Sequence, residues 1–71
     1  MISERIKYLR VKNKLTQKKT AEIAGVQEVS FQRFEYGTLR PSLDTLIILA
    51  DYFGVSLDYL VGRTDKPEIN K

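Results

Sequence analysis

Three aspartates recur every seven residues in the second half of the chain: Asp44, Asp51 and Asp58. Carboxylates in such a series could bind a metal ion or serve as an acid and base pair. Histidine and cysteine, the side chains that most often accompany them, are both absent from the 71 residues. Asp44 and Asp58 also fit first helical turns, where a negative charge favours the helix dipole. We therefore expect no enzyme activity, metal site, cofactor or small-molecule ligand.

The basic residues offer a different chemistry. Nine lysines and arginines oppose four acids in residues 1–40, whereas three oppose five in residues 41–71. A positive field on one side of a small molecule favours a polyanion as its partner. A solvated surface with a chance asymmetry is the alternative explanation.

Helical elements must position these charges. Four glycines each follow a stretch with helical apolar spacing, where a glycine could close the helix in the left-handed conformation: Gly25, Gly37, Gly54 and Gly62. Good N-cap residues precede three of these stretches: Thr16, Ser42 and Ser56. The predicted helices span about residues 2–13, 16–25, 27–36, 42–53 and 56–61. No strand-like alternation is present, so we predict an all-α domain over residues 1–62 and a polar tail or linker start over residues 63–71.

Apolar spacing predicts which side chains form the core. Phe31 and Phe34 should face inward from the third helix. The fourth helix should bury a wide apolar face made of Leu43, Leu46, Ile47, Leu49, Ala50 and Phe53, and the fifth should bury Leu57, Leu60 and Val61. The longest apolar run has five residues, too short to cross a bilayer, so we expect a cytoplasmic protein without a membrane partner.

A series of short segments matches one known pattern. The segments are Leu15 to Lys19, Ala21-Glu22, Gly25-Val26, Arg33 to Gly37, Arg40 to Leu43 and Leu46 to Gly62. Together they resemble the Cro/CI-type (XRE-like) helix-turn-helix family of bacterial and phage regulators over about residues 3–62. The resemblance implies a compact five-helix, lambda-repressor-like domain that binds operator DNA, usually as a dimer.

In that family the third helix reads bases in the major groove. The resemblance assigns this role to Gln27, Glu28, Val29, Gln32 and Arg33. A glutamine can bond adenine, a glutamate can accept from a cytosine amino group, valine can touch a thymine methyl, and arginine can bond guanine. Glu28 is open to a second interpretation, as a solvated acid favoured by the helix dipole. Arg33 could instead contact a phosphate.

Other polar residues are expected to anchor the phosphates. The resemblance indicates that Gln17 contacts a phosphate and supports the recognition helix. The full set of expected phosphate contacts is Arg5, Lys14, Gln17, Lys18, Lys19, Ser30, Thr38 and Arg40, with the backbone amides of residues 37–39. For any single lysine, a solvated position is the alternative.

Arg10 and Glu35 stand where family members often pair an arginine of the first helix with a glutamate at the end of the third. A partly buried pair would orient the recognition helix, whereas the alternative is two unrelated surface charges.

The sequence departs from the family pattern on two helices. Thr20 and Ala24 replace the usual leucines on the inner face of the second helix, and Ile23 and Ile48 replace polar residues. Gln27 is a weak N-cap, which leaves the start of the third helix open.

Two kinds of partner follow. As a repressor, the chain should bind a near-palindromic operator as a homodimer through the region between the fourth and fifth helices, and that dimer could form only on DNA. The alternative is a protein-interaction module, such as an antitoxin or scaffold half, that uses Ile48, Leu57, Tyr59 and Leu60.

Overall fold

The computed structural model describes residues 1–69 and contains five helices, with no strand in that range. They are α1 (Ile2–Lys12), α2 (Gln17–Ala24), α3 (Glu28–Tyr36), α4 (Leu43–Phe53) and α5 (Leu57–Leu60). The all-α, five-helix prediction is confirmed. Within the described residues, no helix is both long and apolar enough to span a membrane.

Helix starts follow the predicted caps. The side chains of Thr16, Ser42 and Ser56 accept hydrogen bonds from backbone amides in the first turns of α2, α4 and α5. Gln27 behaves differently, because its side chain makes no capping hydrogen bond and α3 begins at Glu28. The predicted start at Gln27 is therefore one residue early, and the Gln27 side chain remains exposed.

Helix ends depend on left-handed residues. Gly25, Gly37 and Gly54 close α2, α3 and α4 with φ between 68° and 79°. After α1 the left-handed position is occupied by Lys14 instead, at φ 58°. A lysine is strained there relative to glycine, because its Cβ approaches the following carbonyl.

The core lies between all five helices. Phe31, Ile6, Leu49 and Leu60 are its largest fully buried apolar side chains. The Phe31 and Phe34 rings meet edge to face with centroids 6.1 Å apart. Thr20 is also fully buried, and its hydroxyl donates to the carbonyl of Thr16 at 2.9 Å. A threonine is thus accommodated inside α2 because its polar atom is satisfied locally.

Two predictions about burial are wrong. Leu43 and Ile47, expected in the core, are exposed on the outer side of α4. Leu60, expected in the alternative protein-binding surface, is fully buried, and Tyr59 is partly covered by Arg5. The proposed surface of Ile48, Leu57, Tyr59 and Leu60 therefore does not exist as a contiguous exposed patch.

The segment after α5 is folded back on the domain. The Arg5 guanidinium donates to the carbonyls of Tyr59 and Thr64, and the Ser56 amide donates to the carbonyl of Pro67 at 2.9 Å. Residues 64–67 therefore contact the helical body, although the sequence suggests only a polar tail. The last two positions of that predicted tail lie outside the described residues.

Candidate nucleic-acid interface

A tight turn joins α2 to α3. Gly25 is left-handed, its amide donates to the carbonyl of Glu22, and the amide of Val26 donates to the carbonyl of Ala21. These bonds satisfy the last carbonyls of α2 and allow α3 to begin three residues later. Because α2 and α3 also pack against each other, they form a helix-turn-helix unit.

The two sides of α3 differ in character. Phe31 and Phe34 are buried on the inner side. The expected base-reading residues lie outside this core, with Gln27, Glu28, Val29 and Arg33 exposed and Gln32 partly exposed. The outer side of α3 therefore presents an amide, a carboxylate, a methyl-bearing side chain and a guanidinium to solvent.

Tyr36 belongs to the same outer surface and was not predicted as a site residue. It is among the most exposed large side chains and lies four residues after Gln32, so the two share one helix face. This spacing was available in the sequence. Its phenol can donate a hydrogen bond to a phosphate or a base edge.

A buried ion pair fixes the end of α3. Arg10 Nε lies 2.5 Å from Glu35 Oε2, and Arg10 Nη2 donates to Glu35 Oε1 at 3.2 Å. The Glu35 side chain is only 2% exposed. Arg10 Nη1 also donates to the carbonyl of Leu15 at 2.9 Å. One side chain of α1 therefore holds both the α1–α2 loop and the last turn of α3.

Gln17 joins this network from the first turn of α2. Its Nε2 donates to Glu35 Oε1 at 3.0 Å. The bond places the start of α2 beside the end of α3, where the loop to α4 begins. The Gln17 amide group also keeps a second N–H and its carbonyl oxygen, so it can support α3 and contact another group at once.

The other expected phosphate contacts are mostly at the surface. Exposed members precede or begin α2 and follow α3: Lys14, Lys18, Lys19, Thr38 and Arg40. Ser30 is partly buried. Lys19 Nζ lies 3.9 Å from a carboxylate oxygen of Glu22, a contact too exposed to hold the lysine in place.

The loop amides are engaged within the protein. The amide of Gly37 donates to Phe34, and those of Thr38 and Leu39 both donate to the carbonyl of Arg33. They cap the end of α3 in this structure, and phosphate binding by these amides stays a prediction. The Thr38 hydroxyl makes only a long, exposed hydrogen bond of 3.5 Å to the same Arg33 carbonyl. It is therefore the group of Thr38 that can rotate to contact a phosphate.

Arg5 has a structural role that the sequence did not indicate. Its guanidinium lies 4.0 Å from the centroid of the Tyr59 ring and donates to Asp65 at 2.9 Å. The side chain is 14% exposed. These contacts, with those to the carbonyls of Tyr59 and Thr64, occupy the guanidinium. An occupied guanidinium does not favour Arg5 as a phosphate contact. Its partners lie more than fifty positions away in sequence, which is why the sequence did not indicate this role.

Comparisons with known proteins agree with this geometry. The helix-turn-helix family model matches residues 6–60. The uncharacterized HTH-type transcriptional regulator YobD of Bacillus subtilis is 40% identical over 68 residues, which are 96% of this chain and 61% of YobD. This chain therefore spans about three-fifths of that relative's length.

Two solved structures share the fold. A transcriptional regulator from Listeria innocua aligns with a TM-score of 0.84 and 32% identity, covering 87% of this chain and 58% of that one. The P22 c2 repressor in complex with a synthetic operator aligns with a TM-score of 0.79 and 30% identity, covering 84% and 91% of the two chains. The helix-turn-helix geometry, the family match and these relatives together show that the chain belongs to the Cro/CI-type helix-turn-helix family of phage and bacterial transcriptional regulators.

Proposed function

We propose that this protein is a repressor that binds a specific double-stranded DNA sequence with α3 in the major groove. The observation that carries the proposal is the outer side of α3, which is polar and open while its inner side is held by Phe31, Phe34 and the Glu35 network. A rigid helix with an exposed polar face can enter a major groove and read base edges there. The resemblance in fold to the P22 c2 repressor supports this mode of binding.

The residues divide into two groups. Base reading is assigned to the outer surface of α3: Gln27, Glu28, Val29, Gln32 and Arg33. Phosphate anchoring is assigned to residues that flank it: Lys14, Gln17, Lys18, Lys19, Ser30, Thr38 and Arg40. Arg5 leaves the second group because its guanidinium is occupied inside the protein. Phosphate contacts fix the position of the protein on the duplex, and base contacts give the sequence preference.

Two copies would bind together on a near-palindromic operator. Each protomer measures 33 × 22 × 20 Å, so neighbouring copies can place their α3 helices about one DNA turn, ~34 Å, apart. The region between α4 and α5 is the proposed contact. Since the target is DNA, the proposed location of the protein is the cytoplasm.

Selection from a random pool of duplexes tests this function. Sites recovered after several rounds should contain two inverted half-sites with centres about one helical turn apart. A matched selection with a variant carrying Gln27→Ala and Arg33→Ala should change the recovered half-site. Recovery of unrelated duplexes by the unaltered chain would contradict sequence-specific binding.

A further inference from the structure

The outer side of α4 is an exposed apolar surface bordered by acids. Ile47, Ile48 and Tyr52 are exposed there, with Ile48 at 42%. Asp44 and Asp51 lie on the same side, because residues three, four and seven apart share one helix face. We call these five residues the acidic face.

Among the described residues, the two carboxylates of the acidic face have no basic partner. The other side of α4 packs on α2 and α5, through Leu46, Leu49 and Ala50. Neither Asp44 nor Asp51 joins an ion pair among the described residues. The acidic face combines exposed aliphatic and aromatic side chains with two carboxylates. A complementary partner surface would therefore be both apolar and basic.

The same chain presents such a surface on α1. Tyr8, 54% exposed, and Val11 project from it beside the exposed Lys7 and Lys12. Lys12 Nζ lies 5.7 Å from the centroid of the Tyr8 ring. We call these four residues the basic face. Its lysines join no ion pair in the described structure, and the DNA-binding proposal does not use them.

We propose that the basic face of one copy docks on the acidic face of the next, so that copies associate head to tail. Charge favours this arrangement over a symmetric one, because two acidic faces brought together would place carboxylates against carboxylates. Tyr8 and Val11 would cover the apolar part of the acidic face. A contact of so few residues is weak, and it becomes effective where copies are concentrated, as on neighbouring DNA sites.

The two faces lie on separate helices whose packing partners differ in part. α1 packs on α3 and α5, whereas α4 packs on α2 and α5. A single head-to-tail contact leaves one acidic face and one basic face unused on the pair, so further copies add to it, along a filament or until a ring closes. This contact does not use the DNA-binding surface. Ile47 and Asp51 of the acidic face also line the cleft between α4 and α5, so the head-to-tail contact competes with the proposed dimer contact there.

Charge exchange tests the contact in solution without DNA. Lys7→Glu and Asp51→Lys are made in separate chains, and sedimentation equilibrium is recorded over a concentration series at low salt. The unaltered chain should increase in average mass beyond twice 8.2 kDa. Each variant alone should associate about tenfold more weakly, because like charges then face each other in every contact. An equal mixture of the two variants should recover the association.

Circular dichroism and thermal unfolding serve as controls that both variants fold. We expect Asp51→Lys to leave the stability of the fold nearly unchanged, since a cation in the last turn of α4 interacts favourably with the helix dipole. An unaltered chain that stops at two copies would overturn the proposal. A mixture that associates no better than the separate variants would also overturn it. So would stronger association of the Asp51→Lys chain by itself, because that result would indicate contact between two α4 helices. None of these results bears on DNA binding.

Discussion

At the scale of single residues, Glu35 connects the fold to the proposed function. Its carboxylate accepts hydrogen bonds from Arg10 and Gln17, so three helices converge on one buried charge. A carboxylate that is 2% exposed is stable only while these donors are present. The orientation of α3, and hence of every side chain proposed to read bases, depends on that network.

Removal of Arg10 should destabilise the fold strongly. Arg10→Met leaves the Glu35 charge buried without its bidentate partner, so we expect the free energy of unfolding to fall by about 3–5 kcal/mol. Urea unfolding of Arg10→Met and of Arg33→Met, which removes an exposed arginine, gives the comparison. Adding Glu35→Leu to Arg10→Met should recover part of the loss. A change of less than about 0.5 kcal/mol for Arg10→Met would show that the pair contributes nothing.

Base reading and phosphate anchoring should respond differently to alanine. Arg33→Ala should cost about 1–3 kcal/mol on the selected operator and relax the preference at one or two base pairs. Lys18→Ala should weaken binding to all duplexes alike and reduce the salt dependence, because it removes a charge beside the phosphates. Binding isotherms on the operator and on single-base variants measure both. Identical behaviour of the two variants would contradict the division of roles.

At the scale of elements, the start of α3 lacks a side-chain cap. Gln27 occupies the N-cap position with no capping hydrogen bond, whereas Thr16, Ser42 and Ser56 all make one. Departures from local stability rules are expected at functional sites. An uncapped glutamine at the start of α3 is therefore consistent with use of its exposed side chain for binding.

Gln27→Ser should therefore separate stability from binding. A serine can accept from the free amides of the first turn, so we expect the free energy of unfolding to rise by about 0.5–1 kcal/mol. Affinity for the operator should fall, because the amide that is proposed to read a base is lost. Thermal unfolding and binding isotherms on the same sample measure the two effects, with Thr16→Ala as the control that loses a cap. A gain in both properties would remove Gln27 from the base-reading group.

The sequence predicted the elements better than their contacts. Caps and closing glycines depend on neighbours within a few residues, so Thr16, Ser42 and Gly25 were identifiable without a structure. The role of Arg5 was not, because its partners come from Tyr59 to Asp65 and only the fold brings them together. Leu43 and Ile47 extend the apolar pattern of α4 beyond the side that α2 and α5 cover, and periodicity alone does not show where that coverage ends.

At the scale of the whole molecule, charge is divided between two surfaces. The bases that the proposal uses belong to the loop before α2, to α2, and to the loop after α3, whereas α4 carries Asp44 and Asp51. Such a distribution favours an approach to a polyanion with the helix-turn-helix toward it. It also leaves the acidic face free for a protein partner.

Salt should weaken DNA binding steeply. Four cations per protomer are assigned to phosphates, namely Lys14, Lys18, Lys19 and Arg40. For a bound dimer this corresponds to a slope of about −7 in a plot of log affinity against log salt concentration. Titrations at a series of salt concentrations measure it, and Lys18→Ala should reduce the magnitude by about one per protomer. A slope near zero would favour a protein partner instead.

The placement of α3 in the groove is tested most directly by nuclear magnetic resonance on the labelled protein titrated with its selected duplex. The account predicts that the side-chain amides of Gln17, Gln27 and Gln32 and the backbone amides of Glu28 to Arg33 shift on binding. Shifts in α4 are expected only where two copies meet. Shifts confined to α4, with the amides of α3 unchanged, would contradict it.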